Sequence, residues 1–280
     1  MSSIDDFYSK MGEAASLTKN EKYDESLNLY NEILEEYFQT DDKNIIDYLP
    51  YTFYNKALIF ARKKEYEKEL EVYNELLSKF ISNISTNSEI IFAKTYMNKA
   101  VCIQELQKEI DSVEVYKEFI QNFENSSDEK ILEDIVQAKY NIALLLAKDG
   151  QNDKSLEVYD NIIKSYSDTE NKYFLEYVAK SLVNKANKYK EIYEYEKAIE
   201  VFDEVISRFE KFDNNFLKQV AIAYHNKAAV LSELQKDDEL QNICDEIIEK
   251  FSNVHDEFIM NIVSSAQVIK DKDRFNNNTF

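Results

Sequence analysis

Asn98-Lys99-Ala100 is one term of a series that runs the length of the chain. Asn55-Lys56-Ala57 precedes it by 43 residues, and Asn141-Ile142-Ala143, Asn184-Lys185-Ala186 and Asn226-Lys227-Ala228 follow at intervals of 43, 43 and 42. One step before Asn55, Gly12-Glu13-Ala14 keeps the alanine, which makes six terms. A fixed period of this length is the signature of an architecture built from stacked repeats.

A second column runs in phase, 16 residues beyond each alanine: Tyr30, Tyr73, Tyr116, Tyr159, Phe202 and Cys244. Apolar residues follow each of them three, four and seven positions later, for instance Phe119, Ile120 and Phe123 after Tyr116. That spacing is the buried stripe of an amphipathic helix. The alanines belong to a separate first helix, with apolar partners three residues on at Leu17, Phe60, Ile103, Leu146, Tyr189 and Leu231. Each repeat is therefore a helix pair. Short polar stretches join the two helices, as at Asp149-Gly150-Gln151, where Gly150 suits the left-handed, helix-ending conformation. Stretches rich in Asn, Asp and Ser, such as 124–128, separate the repeats and supply helix N-caps.

Composition agrees. The 280 residues include two Gly and one Pro, too few for a hairpin-rich β fold or a Gly-rich phosphate loop. With 44% apolar and 13% aromatic residues, the chain has material for a large core despite 31% charge. The expected fold is all-α: a right-handed α-solenoid of six helix pairs and a C-terminal capping helix. The repeats are placed at about 3–40, 42–83, 87–124, 128–167, 170–210 and 213–252, the capping helix at 256–270 and a disordered tail at 271–280, with 3–270 forming one domain. In the capping helix the triplet is replaced by Val268-Ile269-Lys270, and loss of the signature suits a terminal repeat. Pro50 lies well inside the first helix of repeat two, where it should start a new helix or kink the old one.

These residues resemble the tetratricopeptide repeat (TPR). A small residue sits at the packing point of the first helix with an apolar residue three later. The second helix starts near a Tyr at Tyr23, Tyr66 and Tyr195, followed by a small residue at Ser26, Ser112, Ser155 and Ala198. Glu69 and Leu240 take that place in the other two repeats, where looser packing is expected. The family's usual period is about 34 residues; the longer one here, with Asn ahead of the small residue, resembles the repeats of kinesin light chains. The Lys between them departs from the Leu usual in that family.

The resemblance implies that the first helices line a concave inner face. At about 100° per residue, the positions two and six before the alanine and five after it point away from the packing direction. Tyr51, Asn55, Arg62, Lys94, Asn98, Asn141, Lys180, Asn184 and Asn226 fall on that arc, with Tyr54 and Tyr140 beside it as apolar pockets. Asn is several tenths of a kcal/mol worse than Ala inside a helix, yet one position keeps it five times. Two explanations stand: the amides clamp the backbone of a peptide, or each bonds a neighbouring helix. Lys56, Lys99, Lys185 and Lys227 should lay their methylene stems over apolar surface.

The functional reading is a non-enzymatic protein-binding scaffold that holds an extended or helical segment of a partner in the groove. Beside it stand a self-associating structural spacer and a sensor of a small signalling peptide. The formal charge of −20 repels phosphate backbones, so nucleic acid is not an expected partner. Neither a membrane span nor a secretion signal is apparent, and a cytoplasmic protein is expected. His225 and His255 lie in different repeats without ligating companions, and Cys102 and Cys244 are too few for a metal set, so no cofactor or metal is expected. Both cysteines read as small buried apolar residues.

Overall fold

A computed structural model describes residues 3–85, 88–212 and 214–277 of the chain. Thirteen α-helices and two short 3₁₀ turns make up its regular structure, and no strand occurs among the described residues. First helices are α1 (Ser3–Lys19), α3 (Lys43–Lys63), α5 (Glu89–Glu105), α7 (Glu129–Lys148), α9 (Lys172–Glu191) and α11 (Leu217–Glu233). Second helices are α2 (Tyr23–Tyr37), α4 (Tyr66–Phe80), α6 (Asp111–Phe123), α8 (Asn152–Tyr166), α10 (Tyr195–Phe209) and α12 (Asp237–Phe251), and α13 (Glu257–Asn277) ends the series. The chain divides into two compact units, Met1–Leu145 and Leu146–Phe280, with the boundary inside α7. In the N-terminal unit α3 packs on α4, its pair partner, and on α1, α2 and α5 of the adjacent repeats. In the C-terminal unit α11 packs likewise on α12, α9, α10 and α13.

The two columns read from the sequence form the contact lines of these packings. All six column alanines and all six residues of the Tyr-to-Cys column are buried. Full burial of a ring of this size is worth about 1.5–3 kcal/mol, whereas the alanine's role is to leave room for the neighbouring helix. At Ser26, the small residue of the second helix in repeat one, the hydroxyl donates to the carbonyl oxygen of Ala14 at 2.7 Å and ties the second helix to the packing point of the first. Glu69 takes the same place in repeat two and is equally buried. Burial pushes its carboxyl above the usual carboxylate range.

Six turns close the helix pairs in phase. Glu21, Lys64, Gln107, Gly150, Tyr193 and Gln235 all have φ between 55° and 78°. The backbone N–H after each, from Lys22, Glu65, Lys108, Gln151, Glu194 and Lys236, donates to the carbonyl of Leu17, Phe60, Ile103, Leu146, Tyr189 or Leu231 at 2.9–3.1 Å. These are Schellman closures onto the apolar residue three beyond the alanine. Gly150 adopts the conformation expected of it; the other five positions hold it without glycine, at a cost of roughly 1 kcal/mol each.

Asx side chains start α3, α7, α9 and α13. Asp42 accepts from the N–H of Asn44, Asp128 from Lys130, Asn171 from Tyr173 and Asp256 from Ile259. Pro50 neither starts nor ends a helix, because α3 runs through it. The missing N–H is offset by the Asp42 cap and by burial of Leu49, Pro50 and Phe53 on one side of the helix. At the C-terminus α13 extends to Asn277, so residues 271–277 of the expected tail are helical and 278–280 lie outside the described residues. The starts expected for repeats three and six, Asn87 and Asp213, also lie outside them.

Candidate functional site

The face of the first helices opposite the packing alanines carries the candidate residues, and the asparagine row is its backbone. In the N-terminal unit the Asn98 amide donates to the Tyr54 hydroxyl at 3.0 Å and the Asn141 amide to the Tyr116 hydroxyl at 3.1 Å. Asn55 reaches the Tyr30 hydroxyl, where it favours the ionised form while burial holds the phenol above its ordinary range. In the C-terminal unit the second-helix column has lost its hydroxyl at Phe202, and there the Asn226 amide donates to the Asn187 side-chain oxygen at 2.7 Å. The amides thus bond neighbouring helices, one of the two roles open to them from the sequence. An Asn side chain offers two N–H groups and an oxygen, so one such bond leaves capacity for a ligand. Asn184 is half-buried at the same register.

The other candidates divide by exposure. Lys94 and Arg62 are exposed, and Lys94 lies close enough to Asp134 on α7 to lower its carboxyl pKa, which burial otherwise raises. Tyr51 and Tyr54 are half-buried. The Tyr51 ring stands 5.5 Å from that of Tyr48, and the Tyr54 ring 6.4 Å from that of Tyr73. Tyr140 is half-buried on α7. In the C-terminal unit Lys180 pairs with Glu176 at 2.7 Å and covers the Tyr177 ring.

Two features of this face escape a sequence reading that starts at repeat two and stops six residues before the alanine. Tyr8 on α1 stands six before Ala14, and Tyr48 on α3 stands nine before Ala57, another turn along the same stripe. Their rings meet edge to face at 5.4 Å. The lysine column holds the second surprise. Lys185, Lys227 and Lys270 pair with Asp160, Asp203 and Asp245 of the preceding second helices at 2.5–2.6 Å. Their stems are largely covered, as expected, but the ammonium groups are held by carboxylates. This ladder also moves the register of α13 by one residue: Lys270 occupies the lysine position of the triplet, where the sequence alignment set it at the alanine position.

Little on this face suggests chemistry. No group of three or more His, Cys, Asp or Glu that could hold a metal ion exists among the described residues. Cys102 and Cys244 are buried, as expected, and burial pushes the Cys102 thiol up to about 12, the opposite of an activated nucleophile. Among the described residues no helix is long and apolar enough to cross a membrane.

Comparison with known proteins agrees with this geometry. Residues 137–169 match the family model of the tetratricopeptide repeat. The fold is a tetratricopeptide-repeat solenoid. Among solved structures, the apo form of RapI superposes with a TM-score of 0.61 at 14% identity, covering 97% of this chain and 88% of that one. A tetratricopeptide repeat protein from Parabacteroides merdae gives 0.53 at 11% identity, over 93% and 98%. The nearly identical TPR-like repeats of a putative kinesin light chain from Podosopora anserina give 0.51 at 12% identity, over 77% and 95%. A search of curated protein sequences gives no significant match.

Proposed function

We propose that this chain is a non-enzymatic protein-interaction module that takes up a segment of a partner protein along the first-helix faces of a TPR unit. One observation carries the reading. The face opposite the packing alanines is left without a helix of its own, so Tyr8, Tyr48, Arg62 and Lys94 stay exposed while the alanine face of the same helices is sealed. A polar and aromatic strip along a rigid scaffold suits an extended segment, with amides and hydroxyls bonding its backbone and rings covering its side chains.

Photo-crosslinking in the native cell tests it. A photoreactive residue at Arg62 or Lys94 should trap the same partner, and one at Lys117 on the outer helix α6 should trap none. Cross-links from Lys117 alone would move the interaction to the outer face and overturn the reading.

A second reading, self-association through the last helix, is favoured by Met260 and Val268 of α13, each 53% exposed. Light scattering over a concentration series decides it: a mass that rises with concentration and falls back in Met260→Glu/Val268→Glu supports association, and a constant monomer mass removes it.

A further inference from the structure

We infer that Tyr8, Tyr48 and Tyr51 of the N-terminal unit form a docking platform for the cationic side chain of a lysine- or arginine-bearing segment of a partner protein. The inference rests on the reading that first-helix faces take up a partner segment, and names the chemistry that this end of the face selects.

The first argument is placement. Tyr8 is 43% exposed and Tyr48 38% exposed, whereas the core beneath them is already complete, with Phe7, Ile45 and Leu49 on the buried sides of the same two helices. Their rings are nearly perpendicular, at 82° with centroids 5.4 Å apart, and Tyr51 extends the surface at 5.5 Å from Tyr48 with a 33° tilt. Rings set this way present electron-rich faces in two directions, an open corner that attracts a cation.

The second argument is the field. Residues 1–56 hold twelve acidic side chains against five basic ones. Asp42 acts on the Tyr8 phenol, which burial, Tyr48 and Asp42 together hold above its ordinary range. The nearby base, Lys10, is engaged by both Asp6 and Glu36. An anionic ligand would meet repulsion here, and a neutral apolar one would use the rings but gain nothing from the charge. A lysine or arginine side chain uses both, and the acidic surface also draws such a segment in from solution.

Fluorescence anisotropy with defined peptides tests the platform. A labelled peptide of alternating lysine and serine is compared with the same peptide after acetylation of every lysine and with a glutamate counterpart. Binding of the lysine peptide is expected, with loss of binding on acetylation, which removes the charge and keeps the chain length. Tyr8→Ala/Tyr48→Ala should weaken it about tenfold, from two exposed cation–π contacts, and Tyr8→Phe/Tyr48→Phe should hold it within about twofold because the ring faces remain. Circular dichroism checks the fold of each variant; where the alanine pair lowers helicity, the phenylalanine pair and the acetylation contrast on the wild-type chain decide instead.

Absence of lysine-peptide binding, equal binding of the acetylated peptide, or indifference to the alanine pair in a folded variant would each overturn the platform. Any of these, with cross-links at Arg62 and Lys94 intact, leaves the interaction reading standing. Loss of those cross-links as well removes the reading itself.

Discussion

The residue ahead of the packing alanine does different work in the two units. In the C-terminal unit Lys185, Lys227 and Lys270 reach back to Asp160, Asp203 and Asp245, the residues just after the second-helix column, and tie successive repeats by charge. The equivalent places in the N-terminal unit read Asn31, Asn74 and Lys117 opposite Lys56, Lys99 and Ile142. No carboxylate waits there, and where a lysine stands in the second helix the first helix has exchanged its own for isoleucine. Burial accordingly holds the Lys99 ammonium below the usual lysine range, with Glu118 opposing. The N-terminal unit is joined instead by neutral contacts from the asparagine one place earlier, to the hydroxyls of Tyr54 and Tyr116. Two columns of a repeat therefore have to be read as a pair: the same lysine is a tie in one unit and a half-buried stem in the other.

The largest effect expected along this contrast comes from Tyr116→Phe. The change removes the hydroxyl that the Asn141 and Gln104 amides both bond, leaving Gln104 only its bond to the Ala100 carbonyl, and should cost about 1–3 kcal/mol in denaturant unfolding. Tyr73→Phe removes a buried hydroxyl that lies near Asn98 and Glu69 without a well-formed hydrogen bond to either, and should cost less. Equal losses in the two would show that the hydroxyl bonds do not join the N-terminal repeats.

Glu69→Gln should stabilise the N-terminal unit by about 1 kcal/mol near neutral pH, because a buried carboxylate is replaced by a neutral amide. The sign with pH follows from the raised carboxyl pKa. Wild-type stability is fully present below the unfolded pKa and is lost as pH rises through the folded one, so the advantage of the variant should shrink on acidification. An advantage that grows in acid would mean that the carboxylate is favourably paired.

Asp203→Asn is the smallest, at about 0.2–1 kcal/mol, since the carboxylate is half-exposed. Its cost should fade in high salt, whereas that of Tyr116→Phe should persist. Thermal melts with and without about 1 M sodium chloride check the difference.

Most of the fold was legible because packing acts through columns: alanine where helices approach and a large residue 16 positions on fix six pairs without reference to any loop. The turns were legible only at Gly150, since the backbone closes the other five with Glu, Lys, Gln or Tyr at the same φ. The site was less legible. Which residues face away from the alanine follows from helical angle, but whether an asparagine amide is already engaged depends on a hydroxyl in another repeat. Nothing at Asn98 announces Tyr54 as its partner. Tyr8 was missed although the same angle selects it, because its repeat lacks the asparagine that marks the stripe.

The six left-handed turns also have a practical use. Each is closed by main-chain atoms alone, and residues 21, 64, 107, 150, 193 and 235 all point into solvent. With both native thiols buried, these sites give one addressable attachment point per repeat, a row of spectroscopic rulers built into each unit.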